Sequence, residues 1–345
     1  MTDTAEGTAV RTPAPVTPSG RRGRRAADVP ALVSGAREGD ARSVARLISL
    51  VEDASPALRE VAAALSPHTG HAQVIGLTGS PGVGKSTSTS ALVTALRRRG
   101  RRVGVLAVDP SSPFTGGALL GDRVRMAEHA TDDGVFIRSM ASRGHLGGLA
   151  WSTPQALRVL DAAGCDVVLV ETVGVGQSEI EVVALADTTV VLLAPGMGDG
   201  VQAAKAGILE VADVLVVNKA DRDGAARTVR DIEDAIAMSA GDASGGWRRP
   251  VVSTVAVRGE GLDALVGALD AHRDWLDGSG ERIRRRRARA AAEIEAVAVE
   301  QVRRRIGEVR ATGALADRVA AGGLDPYRAA DELLGATGLD PRPAP

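Results

Sequence analysis

The densest chemistry in this chain lies in nine residues, Gly79-Ser80-Pro81-Gly82-Val83-Gly84-Lys85-Ser86-Thr87. They fit the pattern G-x-x-x-x-G-K-[ST] without a mismatch. The glycines let the backbone take conformations barred to residues with a Cβ, so its N–H groups can close around a phosphate. Lys85 would then reach the β- and γ-oxygens, and the Ser86 hydroxyl would ligate Mg²⁺. A Gly-rich turn could match the letters by accident, but the surroundings also agree. Val74-Ile-Gly-Leu-Thr78 is a short apolar run and Ser88–Leu96 reads as a helix. This is the strand, loop and helix order that puts phosphate at a helix N-terminus.

A second segment, Asn218-Lys219-Ala220-Asp221, follows the apolar run Val214-Leu-Val-Val217. A carboxylate accepts from two donors, and the ring N–H and exocyclic amine of guanine offer that pair whereas adenine does not. Asp221 is therefore the expected specificity residue, Asn218 the brace of the loop, and Lys219 the side chain laid along the base. Val255, Ala256 and Val257 are assigned to the same base-binding set. Alone, N-K-x-D is a weak signal. After a complete phosphate loop it points to a GTPase with GTP and GDP as ligands.

Between the two motifs lie acids suited to a metal. Val103-Gly-Val-Leu-Ala-Val-Asp109 and Asp166-Val-Val-Leu-Val-Glu171 are buried-strand patterns that end in carboxylates. Glu171-Thr-Val-Gly174 stands where many GTPases have Asp-x-x-Gly, whose glycine N–H meets the γ-phosphate. Asp109, Asp122 and Glu171 are the candidate acids around Mg²⁺, an ion commonly held by one or two carboxylates plus water. For Asp122 a helix cap is the competing reading. Lys85 and Glu171 are the expected catalytic pair. Gln177 is a candidate for orienting the attacking water only by the composition of its loop.

Four longer stretches then occur together: Val108–Pro113, Thr115–Arg123, Ser142–Leu149 and Glu171–Glu179. With them the chain, from about residue 30 to about 338, resembles the methylmalonyl-CoA mutase-associated GTPases, the MeaB and ArgK group. The resemblance implies kinship with metallocentre-assembly GTPases of the P-loop class that dimerises around nucleotide. It also implies Mg²⁺- and switch-associated acids at Asp109, Asp122 and Glu171, and a switch lysine at Lys205. Family members gate delivery of adenosylcobalamin to a cobalamin-dependent acyl-CoA mutase and protect that mutase from inactivation. The partners so implied are the mutase, an adenosyltransferase and a second copy of the chain. A metal-insertion GTPase or a small-molecule kinase on the same scaffold is the alternative. The Cys-rich or His-rich tracts of metal inserters, and a second basic substrate clamp, are not found in the sequence.

Composition sharpens the reading. Of 42 basic residues only Lys85, Lys205 and Lys219 are lysines, and Asn218 is the only asparagine. Arginine replaces lysine on a solvated surface but not where a slim point charge must nest against phosphate. Lys205 is either an exposed helix residue or, as that scarcity favours, part of a switch segment with Asp199 and Gln202. The net charge of −1 argues against a nucleic-acid footprint. A lone Cys165 excludes a disulfide framework. No apolar run approaches the roughly eighteen residues a membrane span needs.

The elements that must position these residues follow from periodicity. Apolar strands near 74, 104, 167, 189, 214 and 251 alternate with helices across 71–279, the pattern of a doubly wound, mainly parallel P-loop sheet. Helical extensions are expected over 28–70 and over 280–338, the second being the dimerisation arm by resemblance. Residues 1–27 and 339–345 read as tails, and a bacterial cytoplasmic tail fits the first better than a mitochondrial transit peptide. The Arg284–Arg287 run is expected to be a solvated helix face. Ile294, Val297, Val302 and Ile306 form a stripe for that helix to bury.

Overall fold

The strands are runs of Val, Leu and Ile buried on both faces, as a parallel sheet covered by helices on each side requires. The computed structural model describes residues 27–53, 55–110, 126–142, 152–172, 184–196, 211–239, 246–308 and 311–338. Among these are β1 (Gln73–Thr78), β2 (Val103–Pro110), β3 (Val135–Ser142), β4 (Val167–Thr172), β5 (Thr188–Leu193), β6 (Val214–Asn218) and β7 (Val251–Thr254). They form one sheet in the order β3-β2-β4-β1-β5-β6-β7, with every pairing parallel. Strand β1 lies at the centre between β4 and β5. The winding reverses around it, so its C-terminal end is where such sheets bind ligands. Strand β3 is absent from the sequence-based set. Val135-Phe-Ile is followed by Arg138 and Ser139, and that short mixed pattern carries little signal outside its pairing with β2.

Period-two alternation divides the core into layers. Ile75, Leu77, Val103, Val105, Val167, Leu169, Val190, Leu192, Val214 and Val216 face one side. There they pack against α4 (Lys85–Arg98) and α7 (Leu262–Ser279). Leu106, Val108, Val168 and Val170 face the other side, under α1 (Val29–Arg37), α2 (Ala41–Glu52), α3 (Leu58–Leu65) and α5 (Thr153–Ala162). Val191, Leu193, Leu215 and Val217 continue that face beneath α6 (Ala225–Ser239). The helices before the phosphate loop thus roof half of the sheet. Burial pushes the Cys165 thiol of this layer up to about 12, where it packs as a small apolar group.

Downstream stand α8 (Glu281–Glu308), α9 (Ala311–Ala320) and α10 (Pro326–Ala336). The 28 residues of α8 span about 42 Å. Its arginine run overturns the solvated-face expectation in part. Arg284 remains exposed, but Arg285 donates to both oxygens of Asp213, at 2.8 and 2.9 Å. Arg286 reaches Asp187 at 3.1 Å and the Ala72 carbonyl at 3.0 Å, and Arg289 joins the same Asp187 carboxylate. Farther along, Glu293 accepts from Arg158 and from Gln155. Positions 285, 286, 289 and 293 share one helical face, so a single stripe of charge fastens the helix beneath the sheet. The apolar stripe is only partly covered among the described residues: Ile294 is 71% exposed and Val297 40%, while Val302 and Ile306 are half-buried.

Asp187 and Asp213 lie at the N-terminal ends of β5 and β6 and are buried. Burial alone would raise Asp213, but the His272 imidazole, 3.4 Å away, and the hydrogen bonds from Arg285 outweigh it and hold the carboxyl at about 2. Its Oδ2 also accepts from the Thr189 N–H at 2.8 Å. His272 stacks on Trp275 with ring centroids at 5.6 Å, and Trp247 tilts against both, 4.7 Å from His272 and 5.8 Å from Trp275. A carboxyl depressed on folding stabilises above its ordinary value of 3.8 and loses that contribution as pH falls through about 2. Asp213→Asn should therefore lower unfolding free energy near neutrality by roughly 3–5 kcal/mol. The deficit should shrink between about pH 4 and pH 2. Urea unfolding followed by tryptophan fluorescence measures both, and an unchanged midpoint at pH 7 would show the ion pairs to be dispensable.

Candidate functional site

Each glycine of the phosphate loop answers a different demand. Gly79 has φ +144°, and a Cβ there would stand 2.2 Å from the Leu192 carbonyl oxygen. The backbone of β5 is therefore the wall against which the loop leaves β1. Gly82 has φ +81° with open space where a Cβ would be. Gly84, at φ +94°, is the residue before α4, and a Cβ would meet Asn218 Nδ2 at 2.6 Å. Helix α4 begins at Lys85, three residues ahead of the stretch that its sequence marks as helical. No side chain caps this end, so its first backbone donors face the hollow of the loop. The positive end of the helix dipole acts in the same place.

Lys85 is buried and folds back over the loop, donating to the Gly79 carbonyl at 2.7 Å and the Ser80 carbonyl at 3.3 Å. Pro81 in the loop and Thr87 in the first turn of α4 are exposed, and Val83 is fully buried. Ser86 gives its hydroxyl proton to Glu171 Oε1 at 2.6 Å, and both residues are buried. Glu171 reaches this place because β4 pairs beside β1, with Leu77 opposite Glu171. A hydroxyl that donates to a carboxylate presents oxygen to a cation, and oxygen donors are what Mg²⁺ takes. The pair therefore fits that ion. The backbone of Asp109 is one residue from the end of β2, on the other side of β4 and opposite Ala141. Asp122, Gly174, Gln177, Asp199, Gln202 and Lys205 lie outside the described residues.

The base-binding candidates converge on the same loop from β6 and β7. Asn218 is buried and bonded through both ends of its amide. Its Nδ2 donates to the Val83 carbonyl at 2.8 Å. Its Oδ1 accepts from the Ala256 N–H at 3.1 Å and the Thr254 hydroxyl at 3.2 Å. Lys219 has φ +59°, the one positive value at a non-glycine residue among those described. Left-handed backbone costs about 1–2 kcal/mol for such a residue. The turn aims its ammonium at the Gly82 carbonyl, 2.6 Å away. Asp221 is exposed beside it, with Arg258 NH1 3.3 Å from its Oδ2. Val255 and Ala256 are buried and Val257 is 79% exposed, an apolar side chain at the rim of the site.

Two contacts had no sequence signal. Thr254 reads only as the end of a strand, and Arg258 is one arginine among many. A third group, Ser90, Glu128 and His129, has the composition of a nucleophilic triad but not its arrangement. Ser90 Oγ lies 3.0 Å from His129 Nε2 and also bonds Glu128, so acid and imidazole meet the same hydroxyl. A triad would put the acid on the far ring nitrogen. The cluster instead ties the turn after Met126 to α4.

Comparisons with known proteins agree with this geometry. The family described as methylmalonyl-CoA mutase-associated GTPase MeaB matches residues 44–311. A protein of Pyrococcus abyssi is 47% identical over 307 residues, covering 88% of this chain and 95% of its own. The GTPase ArgK of Escherichia coli is 38% identical over 250 residues, covering 71% of this chain and 76% of its own. The mouse methylmalonic aciduria type A homolog, a mitochondrial protein, is 35% identical over 324 residues, covering 88% and 78%. The crystal structure of an LAO/AO transport system kinase superimposes with a TM-score of 0.66 at 27% identity, covering 91% of this chain and 99% of that one. The order of strands, the phosphate loop at the sheet's centre and the match across most of its length make this chain a member of the methylmalonyl-CoA mutase-associated GTPase (MeaB) family.

Proposed function

We propose that this chain is a GTP-hydrolysing chaperone that gates adenosylcobalamin loading of a cobalamin-dependent acyl-CoA mutase and protects that enzyme. The observation that carries the nucleotide half is the junction at Asn218, which binds the phosphate loop and the guanine segment into one surface. The mutase half rests on the family's description and on the mouse relative's name. Lys85 and the loop amides hold the phosphates, and Asp221 with Lys219 and Ala256 selects guanine. Ser86 and Glu171, completed by Asp109 and Asp122, hold Mg²⁺, which when bound neutralises charge on the β- and γ-phosphates.

The segment 195–207, with Asp199, Gln202 and Lys205, acts as the switch that reports the γ-phosphate to the partner. It leaves the C-terminal end of β5, the strand that walls the phosphate loop at Gly79. Residues 280–338 form the dimerisation arm. The exposed Ile294, Val297 and Val299 on the far part of α8 support that role. Hydrolysis by the isolated chain is slow and needs Mg²⁺, and the partner completes the site.

Asp221→Asn turns one acceptor into a donor that faces a guanine donor. GTP affinity should fall ten- to hundredfold, since a charge-assisted hydrogen bond contributes on the order of 1.5–3 kcal/mol. Xanthosine triphosphate, with a carbonyl in place of the amine, should become the better ligand. A fluorescent-nucleotide titration decides, and unchanged GTP affinity refutes the guanine assignment. Lys85→Ala should abolish steady-state GTP turnover. Turnover at the wild-type rate would remove the lysine from the site.

Lys205→Ala should leave GDP binding nearly intact while uncoupling GTP from the mutase. Such coupling is typically about 1–3 kcal/mol and reciprocal. Binding cycles with GDP and a GTP analogue, with and without the mutase, measure it. A mutant that keeps the nucleotide-dependent difference in mutase affinity would make Lys205 a surface residue.

A further inference from the structure

The turn that follows β7 is built more tightly than packing requires. Val255 and Glu260 exchange backbone hydrogen bonds in both directions, at 3.1 and 3.3 Å, and the Arg258 N–H donates to the Val255 carbonyl at 2.9 Å. Gly259 and Gly261 both take left-handed backbone, at φ +70° and +77°. At Gly261 a Cβ would lie 2.1 Å from the Ser253 carbonyl oxygen, so the turn closes directly on β7. Its near side is latched to Asn218 through the Ala256 N–H. The consequence is a fixed origin for one long side chain, Arg258.

The guanidinium is then aimed by a second acid. Glu260 takes Nε at 2.7 Å and NH2 at 3.3 Å, which occupies one edge of the planar fork. The remaining nitrogen, NH1, reaches Asp221 Oδ2 at 3.3 Å. Arg258 is half exposed, and a solvated ion pair of this kind adds little to stability. Its effect is on orientation. A carboxylate held in one rotamer loses less conformational freedom when a ligand binds. Oxygen Oδ2 has capacity for more than one donor, so the contact does not block a base.

We infer that Arg258, aimed by Glu260, is a positioning residue for guanine: it presets the plane of the Asp221 carboxylate so that both base donors meet it together. This rests on the assignment of Asp221 to the guanine base. The relevant chemistry is two-point recognition. A base with both the ring N–H and the exocyclic amine gains from a fixed carboxylate plane. Hypoxanthine, which lacks the amine, makes a single hydrogen bond and gains less. Arginine is required because lysine, a point charge, cannot bond Glu260 and Asp221 with one rigid plane.

The test compares GDP with IDP on wild type, Arg258→Ala, Arg258→Lys and Glu260→Gln in the full-length protein, using competition against a fluorescent nucleotide. Arg258→Ala should weaken GDP about three- to tenfold and IDP by less than half that factor, so that the GDP-to-IDP preference falls. Arg258→Lys should resemble the alanine variant, and Glu260→Gln should lie between it and wild type. In an Asp221→Asn background the Arg258 substitution should have no further effect on the preference. Equal losses for both nucleotides, or a preference unchanged in Arg258→Ala, overturn the proposal while leaving the guanine assignment standing. A wild-type protein that binds ADP as well as GDP overturns the assignment itself, and this inference with it.

Discussion

One buried carboxamide holds the site together. Asn218 donates to the Val83 carbonyl and accepts from Ala256 N–H and Thr254 Oγ1, so three loops from β1, β6 and β7 share a single side chain. A buried amide that lost any one partner would leave a polar group unsatisfied, at about 1–3 kcal/mol. The arrangement therefore has little tolerance for displacement. It explains why Gly84 must lack a Cβ, which would stand 2.6 Å from the Asn218 Nδ2. Neither aspartate nor glutamine substitutes well: one lacks the donor, the other is a methylene too long for a place this close.

The sheet carries a second polar assembly at its opposite end. Asp187 and Asp213 precede β5 and β6, and both are covered by arginines of α8. The same two strands end, at their other termini, in Pro195-Gly196 and in Asn218-Lys219. Each strand thus runs from a helix anchor to the end of the sheet at which the phosphate loop leaves β1. A five- or six-residue strand in a seven-stranded parallel sheet is a stiff connection. Whatever fixes α8 beneath the sheet also fixes the base from which the site loops project.

Much of this was legible in the sequence because the chemistry itself restricts residue type. A phosphate loop needs its glycines and its lysine, and a scarcity of lysine and asparagine left Lys85, Lys219 and Asn218 visible against an arginine-rich background. Strands buried on both faces also announce themselves, as Val167–Val170 and Val214–Val217 do. What was illegible depends on partners far along the chain. Nothing near Arg285 and Arg286 tells that Asp213 and Asp187 wait for them, so a docked charge stripe reads like a solvated one. The apolar positions of α8 read as a stripe, but nothing nearby tells that Ile294 and Val297 stay exposed. Strand β3 needs β2 beside it to be recognised, and Arg258 acquires meaning only when Glu260 and Asp221 are seen in space.

The parallel topology also sets an order of assembly. Strand β1 and its loop are translated early, yet the partners of β1 are β4 and β5, roughly a hundred residues later, and Gly84 abuts Asn218 later still. Contacts of such long sequence separation form slowly, since the intervening chain must be closed first. On a ribosome the phosphate loop would remain an unbraced link between β1 and α4 until the β6–β7 segment had emerged. Competence to hold nucleotide is in this sense a late event in the life of the chain, and it certifies that nearly the whole sheet has formed.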